Sequence, residues 1–292
     1  MDHYFVIGNP IAHSKSPQIQ ARFAELTGQA LQYDRLLAPL DGFAATLAQL
    51  ARQGVRGCNV TVPFKLQACE AAPPAQRSAR AHLAQAANTL WFDAHGVHAD
   101  NTDGVGLVSD IQTNAGVSLA GRDVLLIGAG GAAAGALAPL LAAGPRRLVV
   151  ANRTLPKAQD LVARHQAHPS LQALLQKTEL FTQEMTGLAG DFDVVINATA
   201  SSLSGTSVPV SHQVLRPGAL AYDMMYGPAA AGFLQWAAEH GAVPRDGLGM
   251  LVEQAAEAFL LWRGVRPPAA QVLREIREAD GLRAATSAAP TP

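Results

Sequence analysis

Residues 124–144 contain a glycine-rich turn between an apolar run and an alanine-rich run, and this pattern is compatible with few folds. The run at 124–127 is typical of a buried strand, and Gly128-Ala129-Gly130-Gly131 follows it directly. The segment lacks charge and is long enough to span a bilayer, but its glycines, its alanines and Pro139 make it only weakly hydrophobic. It therefore predicts a strand, a glycine turn and a helix, which together form one unit of a parallel α/β sheet.

From residue 123 onward this alternation of strand and helix becomes regular. Strands are expected at 124–127, 148–151, 194–197 and 220–222, with a further short strand near 242–243. Parallel strands must be joined by crossover segments, and the patterns between these runs are helical. The alternation predicts a doubly wound, Rossmann-type sheet.

The first part of the chain predicts a second α/β unit. Strands are expected at 4–7, 31–36, 57–61, 89–92 and 97–99, and helices at 17–27, 42–53 and 78–87. Asp93-Ala94-His95-Gly96 separates the last two strands and is a hairpin signal, so this sheet should be mixed.

A chain of 292 residues is long enough for two domains, each with its own core. We expect the first over residues 1–103 and the Rossmann-type domain over 104–246. A connecting helix over 104–115 should begin at Thr102 or Asp103 as its cap. Further helices are expected near the end of the chain, at 250–262 and 269–278.

The charge balance narrows the class of partner. Charged residues make up 15% of the chain, the formal net charge is -1, and there is no long basic run. Nucleic acid and anionic membrane surfaces require a basic face, so neither is expected as a partner. A small-molecule ligand is the better expectation.

The cysteines give little reason to expect a metal. Cys58 and Cys69 are the only two, and no second pair or histidine cluster accompanies them. Free thiols suit a reducing compartment, and the first residues carry no basic segment followed by an apolar one that would mark export. The expected location is the cytoplasm.

The glycine turn predicts a dinucleotide site. Glycine lets the backbone turn sharply and approach a pyrophosphate, while the helix N-terminus supplies unpaired N–H groups and a positive dipole end. The residues expected to contact the dinucleotide here are Gly128, Ala129, Gly130, Gly131 and Ala132. A plain tight turn is the alternative, but the strand before and the helix after satisfy the required context.

The end of the next strand indicates which dinucleotide binds. That strand ends in Asn152-Arg153-Thr154, whereas an acidic residue there would bind the ribose diol of NAD. A cation and a hydroxyl suit the extra phosphate of NADP, and Lys157 adds a second positive charge one turn later. The alternative is that Arg153 and Lys157 are simply solvated loop residues. The expected cofactor is NADP.

Two further motifs, Asn59-Val60-Thr61-Val62-Pro63-Phe64-Lys65 and Asn101-Thr102-Asp103, place a lysine and a carboxylate beside amides and hydroxyls. Reduction of a ketone needs a proton donor near the carbonyl oxygen, and Lys65 can supply the proton and stabilise the developing negative charge. Asp103 would hold the ammonium group. Taken singly, Lys65 is better explained as a surface lysine and Asp103 as a helix N-cap, and it is the surrounding motifs that favour a site.

These motifs resemble the substrate motifs of the shikimate dehydrogenase family. Counting the glycine turn, seven such blocks occur in the family's order, and they cover roughly residues 4–275. The four blocks not yet quoted are Gly8-Asn9-Pro10-Ile11-Ala12-His13-Ser14-Lys15-Ser16-Pro17, Ala87-Asn88-Thr89-Leu90, Tyr222-Asp223-Met224-Met225-Tyr226 and Asp246-Gly247-Leu248-Gly249-Met250-Leu251-Val252-Glu253-Gln254.

The resemblance implies a reversible, NADPH-dependent reduction of 3-dehydroshikimate to shikimate, in chorismate and aromatic amino acid biosynthesis. It implies that Lys65 and Asp103 are catalytic and that Ser14 and Ser16 bind the substrate carboxylate. The other substrate-binding residues that it implies are Asn59, Thr61, Asn88, Tyr226 and Gln254, and it adds Asn152, Met224 and Gly247 to the cofactor site. No metal is implied.

The resemblance also implies that C-terminal helices within 247–283 complete the first domain. Residues 284–292 are rich in Ala, Ser, Thr and Pro, which predicts a flexible tail. The protein is expected to be a monomer or homodimer. One alternative is a quinate/shikimate dehydrogenase of broader cofactor use, which Ser16 and Arg153 disfavour. A non-catalytic NADP-binding regulator would not need the intact Lys65 and Asp103. A folate-linked dehydrogenase of similar architecture would not need the Ser14 and Ser16 pair.

Overall fold

The computed structural model describes residues 1–188, 190–199 and 210–287. Its first sheet is mixed and has five strands in the order β2-β1-β3-β4-β5. The first three pair in parallel, and β4 and β5 are antiparallel, so the expected mixed sheet is confirmed. The strands are β1 Asp2–Gly8, β2 Leu31–Leu37, β3 Gly57–Val60, β4 Thr89–Asp93 and β5 Gly96–Asp100.

Four helices lie within this part of the chain, and one of them was not predicted. They are α1 Ser16–Thr27, α2 Phe43–Arg52, α3 Lys65–Glu70 and α4 Ala79–Ala84. The unpredicted helix is α3, which has only six residues and is too short to show a clear amphipathic period. It matters because it begins at Lys65.

The second sheet has six parallel strands in the order β11-β10-β9-β6-β7-β8. Read from its other edge this is the strand order of a Rossmann-type fold, as predicted. The strands are β6 Asp123–Ile127, β7 Arg147–Asn152, β8 Glu179–Glu184, β9 Phe192–Asn197, β10 Leu215–Asp223 and β11 Val243–Arg245. Strand β8 was not predicted, because it is an edge strand with mostly polar, partly exposed residues.

The helices from the linker onward are α5 Asp103–Ser109, α6 Gly131–Ala142, α7 Leu155–Ala167, α8 Gln172–Leu175, α9 Ala231–Glu239, α10 Leu248–Arg263 and α11 Ala269–Ser287. A π-helical turn, Asp110–Asn114, extends α5. Helix α11 runs well beyond its expected end at residue 278, and residues 288–292 lie outside the described residues. No helix within the described ranges has the length and apolar character required to cross a membrane.

Helices α10 and α11 pack against α1, although more than 200 residues separate them in the chain. Phe23 of α1 contacts Phe259 of α10 edge to face, at 5.9 Å between ring centroids, within a core that Ile276 of α11 completes. Trp262 stacks on Tyr4 of β1 at 4.7 Å. These contacts bring the end of the chain against the first sheet.

The start of α5 differs from the expected cap. Thr102 stands at the N-cap position, but its side chain accepts no capping hydrogen bond from the helix backbone. The Asn101 side-chain oxygen instead accepts a hydrogen bond from the Asp103 N–H at 3.1 Å. The Thr102 hydroxyl donates to Asn88 at 3.1 Å, so it is used to join two loops and not to cap the helix.

His165 on α7 should make stability depend on pH. Its ring is fully buried, Nδ1 donates to the Leu161 carbonyl oxygen at 2.9 Å, and burial lowers the pKa of His165 to about 4. In the unfolded chain the same ring titrates near its ordinary pKa of about 6.5, so the unfolded state binds more protons below that pH. This difference removes stability as the pH falls from about 6.5 to about 4, by up to about 3 kcal/mol.

We expect His165→Asn to flatten this part of the pH profile, because the substituted amide does not titrate. Urea unfolding of both proteins at a series of pH values gives the difference in their free energies of unfolding, in which the contributions of the other titrating groups cancel. Parallel profiles for the two proteins would contradict the assignment.

Candidate active site

Lys65 and Asp103, the first residues of α3 and α5, form an ion pair. The Lys65 Nζ lies 2.5 Å from the Asp103 Oδ2. The Lys65 side chain is 21% exposed and that of Asp103 is 8% exposed, so the carboxylate is enclosed while the ammonium still reaches solvent. A small ligand could contact this cation directly.

The turn between β3 and α3 fixes the position of Lys65. Thr61 N–H donates to the Ile7 carbonyl at 2.9 Å, and Phe64 N–H donates to the Thr61 carbonyl at 3.0 Å. The buried Phe64 ring stacks on Phe43 at 4.9 Å between centroids. Phe64 therefore anchors the turn in the core and leaves Lys65 beyond the carboxyl end of β3, the central strand of the sheet.

Asn88 orients the carboxylate of Asp103. Its Nδ2 lies 2.8 Å from the Asp103 Oδ1, while the other carboxylate oxygen accepts from Lys65. The Asn88 side-chain oxygen accepts from the Thr102 N–H at 2.8 Å. Both ends of this buried amide thus hold the loop that carries Asp103.

Gln254 of α10 joins the same network. Its Oε1 lies 3.1 Å from Asn88 Nδ2 and 3.4 Å from the Thr102 hydroxyl, and its Nε2 donates to the Leu251 carbonyl at 2.8 Å. The structure therefore brings together four of the residues predicted from the sequence, Lys65, Asn88, Asp103 and Gln254, from four separate segments.

Asn59 lies next to this network but is already engaged by the protein. Its Nδ2 donates to the Asn88 carbonyl and to the Thr89 hydroxyl, each at 3.1 Å. Its Oδ1 accepts from the Tyr33 hydroxyl at 2.7 Å. Both amide hydrogens are used, so a ligand could approach Asn59 only through its remaining oxygen lone pair.

The predicted carboxylate-binding serines lie where the chain enters α1: Ser14 is in the loop before the helix, and Ser16 is the first residue of the helix. Ser16 is buried and Ser14 is partly exposed, and the Ser14 hydroxyl oxygen accepts from the Ser16 N–H at 3.3 Å. Burial raises the pKa of Tyr33 well above its usual value, and a side-chain hydrogen bond with Ser16 opposes this shift. The Tyr33 hydroxyl donates its own hydrogen bond to Asn59 Oδ1.

The other two predicted substrate residues are partly buried. Thr61 follows β3, and its methyl group lies against Gly8. Tyr226 packs against the core formed by α1, α10 and α11, and burial raises the pKa of its phenol. Neither contacts the Lys65–Asp103 pair through a hydrogen bond within the described residues.

The glycine turn after β6 leaves open space at the N-terminus of α6. Gly128 has a φ of 115°, a conformation that favours glycine. A Cβ placed on Gly130 or Gly131 would meet no atom within 4 Å. The helix N-terminus is thus accessible to a pyrophosphate, and the residues fit a bound dinucleotide.

The cations expected to bind the extra phosphate of NADP are exposed just beyond β7. Arg153, Thr154 and Lys157 all face solvent, and Asn152 Nδ2 donates to the Thr154 carbonyl at 2.8 Å, which orders the turn. Within the described ranges, no carboxylate lies in ion-pair distance of Arg153 or Lys157. Their charges are available to an anionic ligand.

Met224 and Gly247 lie together beyond the carboxyl end of β10. Met224 N–H donates to the Asn197 carbonyl at 3.0 Å, and Gly247 N–H donates to the Met225 carbonyl at 2.8 Å. Gly247 is the residue before α10, so this contact ties the end of β10 to the helix that carries Gln254.

Close packing of α5 on α6 places the Lys65–Asp103 ion pair near α6, the helix that follows the glycine turn. A Cβ on Gly104 would overlap the Gly135 carbonyl oxygen, and Gly135 in turn lies against the Asn101 side chain. Only glycine permits this approach of two helix backbones. Asp103 is therefore held beside the helix whose N-terminus is open, a contact that local sequence patterns did not reveal.

Comparisons with known proteins identify the family. Three family models match, described as the shikimate dehydrogenase substrate binding domain over residues 6–90, shikimate / quinate 5-dehydrogenase over 110–208, and the shikimate 5'-dehydrogenase C-terminal domain over 247–277. A shikimate dehydrogenase (NADP(+)) of Acidovorax sp. strain JS42 is 66% identical over 278 residues, which cover 95% of this chain and 96% of that protein. This chain belongs to the shikimate dehydrogenase family. Another relative with the same name, from Verminephrobacter eiseniae, is 64% identical over 279 residues, covering 95% of each chain.

Solved structures of other proteins share the fold. The shikimate 5-dehydrogenase of Thermus thermophilus, in complex with NADP(H) and shikimate, has a TM-score of 0.81 and 28% identity, covering 96% of this chain and 100% of that chain. An Ael1 enzyme from Pseudomonas putida has a TM-score of 0.85 and 45% identity, covering 94% and 98%. The two-domain α/β architecture predicted from the sequence is thereby confirmed.

Proposed function

We propose that this member of the shikimate dehydrogenase family reduces 3-dehydroshikimate to shikimate with NADPH, reversibly, in chorismate and aromatic amino acid biosynthesis. The observation that carries the proposal is the Lys65–Asp103 pair, 2.5 Å apart and hydrogen-bonded through Asn88 to Gln254. The names of the relatives, shikimate dehydrogenase (NADP(+)), support the substrate and the cofactor.

Lys65 is the proposed proton donor. As the substrate carbonyl is reduced, negative charge develops on its oxygen, and the ammonium stabilises that charge and transfers a proton to it. In the oxidising direction the neutral amine accepts the proton. Asp103 keeps Nζ in place, and Asn88 fixes the rotamer of Asp103.

NADPH, when bound, supplies the hydride. The open N-terminus of α6 would hold its pyrophosphate, with Gly128, Ala129, Gly130, Gly131 and Ala132 as the residues in contact. Arg153, with Thr154 and Lys157, would bind the 2′-phosphate. Asn152, Met224 and Gly247 would complete the cofactor site.

Ser14 and Ser16 would bind the substrate carboxylate, and Thr61, Tyr226 and Gln254 would contact other polar groups of the substrate. Asn59 and Asn88 would act on it mainly through the loops that they order, since protein partners occupy their amide hydrogens.

Arg153→Ala should raise the KM for NADP about tenfold or more, because one charge-assisted bond to a phosphate contributes roughly 1.5 to 3 kcal/mol. The KM for NAD should hardly change, since NAD lacks this phosphate. Steady-state kinetics with each cofactor measures the effect, with Lys177→Ala as a control for loss of an exposed cation. Equal losses with both cofactors would show that Arg153 supports the turn and does not recognise the phosphate.

Absorbance of the reduced nicotinamide tests the function itself, with shikimate or quinate each paired with NADP or NAD. We expect the highest kcat/KM for shikimate with NADP. Comparable turnover of quinate, or of NAD, would favour the quinate/shikimate dehydrogenase alternative, and no turnover in any combination would favour a non-catalytic NADP-binding protein.

Two finer features belong to the same proposal. Cys58 and Cys69 are buried and free, as is typical of reducing compartments, which supports a cytoplasmic location. The expected state is a monomer or a homodimer, and sedimentation of the purified chain would distinguish them.

A further inference from the structure

Residues 14–16, the serine loop, end at the first residue of α1, and the two cations of this region, Lys15 and Arg35, differ in how they are paired. Lys15, between the two serines, points to α11, where its Nζ lies 2.9 Å and 3.0 Å from the two carboxylate oxygens of Asp280. This carboxylate largely neutralises the charge of Lys15. The ion pair holds the loop against α11 but leaves little positive charge for a ligand.

Arg35, on β2, reaches the same loop at Ser14. Its Nε and Nη2 donate to the Ser14 carbonyl oxygen at 3.0 Å and 2.5 Å. Arg35 is exposed, and no carboxylate of the described residues forms an ion pair with it. A neutral carbonyl therefore holds this guanidinium in a defined place without cancelling its charge.

The position of Arg35 follows from strand geometry. Alternate residues of a strand lie on the same face, so Arg35 shares its face of β2 with Tyr33, whose hydroxyl donates to Asn59 Oδ1 at 2.7 Å. Of these two residues, Arg35 is the one whose side chain hydrogen-bonds the serine loop. It places an unpaired positive charge beside that loop.

This charge bears on ligand selection. The hydroxyls of Ser14 and Ser16 can hydrogen-bond a carboxylate, but they equally accept neutral polar groups. The carbonyl and the hydroxyl of Ser14 belong to one residue, so the guanidinium lies well within a Debye length, about 8 Å at physiological ionic strength, of a ligand on that hydroxyl. A fixed cation at that distance favours an anion over a neutral ligand of the same shape.

We propose that Arg35 is a specificity-determining residue that makes the serine loop select a carboxylate over an uncharged group. The proposal rests on the assignment of Ser14 and Ser16 as the carboxylate-binding pair in the proposed function. Arg35 does so through its charge, at short range, while its two hydrogen bonds keep the Ser14 carbonyl turned toward it.

The test compares shikimate with its neutral methyl ester. Arg35→Gln should raise the KM for shikimate about 5- to 10-fold, with kcat and the KM for NADP nearly unchanged, and should alter the KM for the ester by less than about twofold. Arg35→Lys should retain most of the preference for the acid. Added salt should raise the KM for shikimate in the unaltered protein and have a smaller effect in Arg35→Gln.

Arg52→Gln is the matched control, because Arg52 is an exposed arginine of α2 and its loss changes the net charge equally. Equal losses for acid and ester in Arg35→Gln would overturn the proposal and leave Arg35 as a support for the loop. So would an effect of Arg52→Gln as large as that of Arg35→Gln.

Equilibrium titration of shikimate and of its methyl ester gives the acid-to-ester ratio of affinities without turnover. A protein that binds shikimate but fails to oxidise it would contradict the proposed function alone. An acid-to-ester ratio of affinities that Arg35→Gln leaves unchanged would contradict the role of Arg35 alone.

Discussion

Lys65→Met should lower kcat by at least roughly 10², because positioned acid/base groups typically contribute about 10² to 10⁴ in rate. Methionine keeps much of the apolar stem of lysine but has neither a proton to donate nor a charge to place beside the reacting oxygen. The KM for NADP should remain unchanged, and shikimate affinity should change far less than the rate. Stopped-flow and steady-state measurements of nicotinamide absorbance test this expectation.

Lys177→Met provides the matched control, since Lys177 is an exposed lysine in the Rossmann-type domain. It should leave kcat unchanged. Near-normal turnover in Lys65→Met would leave the proposed proton donor without a role.

Asp103→Asn should lower kcat about 10- to 100-fold. The substituted amide keeps the shape of the side chain but loses the negative charge that holds the Lys65 ammonium at 2.5 Å. It also presents an N–H group where Asn88 Nδ2 or Lys65 Nζ now finds an acceptor, so the network must rearrange. Thermal unfolding of the variant separates loss of catalysis from loss of fold. Unchanged kcat would reduce Asp103 to a residue at the start of α5.

The proximity of Lys65 and Asp103 could be anticipated from the sequence. Both follow a strand of the same predicted sheet, and both stand in polar motifs at the point where the chain leaves the core. A similar argument predicts the dinucleotide site, because a glycine turn between a strand and a helix is the context that a bound pyrophosphate requires. In both cases a few consecutive residues are enough to predict the chemistry.

Long-range pairs could not be predicted in this way. Asp110, which follows α5, is fully buried. Its carboxylate accepts hydrogen bonds from Arg245 Nε at 2.9 Å, from Arg245 Nη2 at 2.5 Å and from the Tyr222 hydroxyl at 2.7 Å. In the sequence it stands in a helical pattern and would be taken for a solvated acid. Its partners lie 112 and 135 residues away, and only the fold brings them together.

Arg35 and the short helix α3 escaped prediction for related reasons. Nothing in the sequence near Arg35 shows that its guanidinium meets the Ser14 carbonyl instead of a carboxylate, because that depends on how β1 and β2 pair. Helix α3 is held by the turn before it and by the burial of Phe64, and its own six residues show no clear helical period. In both cases tertiary packing decides what local propensity leaves open.

The decisive test of joint action by Lys65 and Asp103 is the single-turnover rate of nicotinamide oxidation in the double variant Lys65→Met/Asp103→Asn, with NADPH and 3-dehydroshikimate. If the two residues act as one proton-transferring unit, removing the second should add little once the first is gone, so the double loss should approach the larger single loss. Losses that multiply fully would show that Lys65 and Asp103 act independently and would contradict the account.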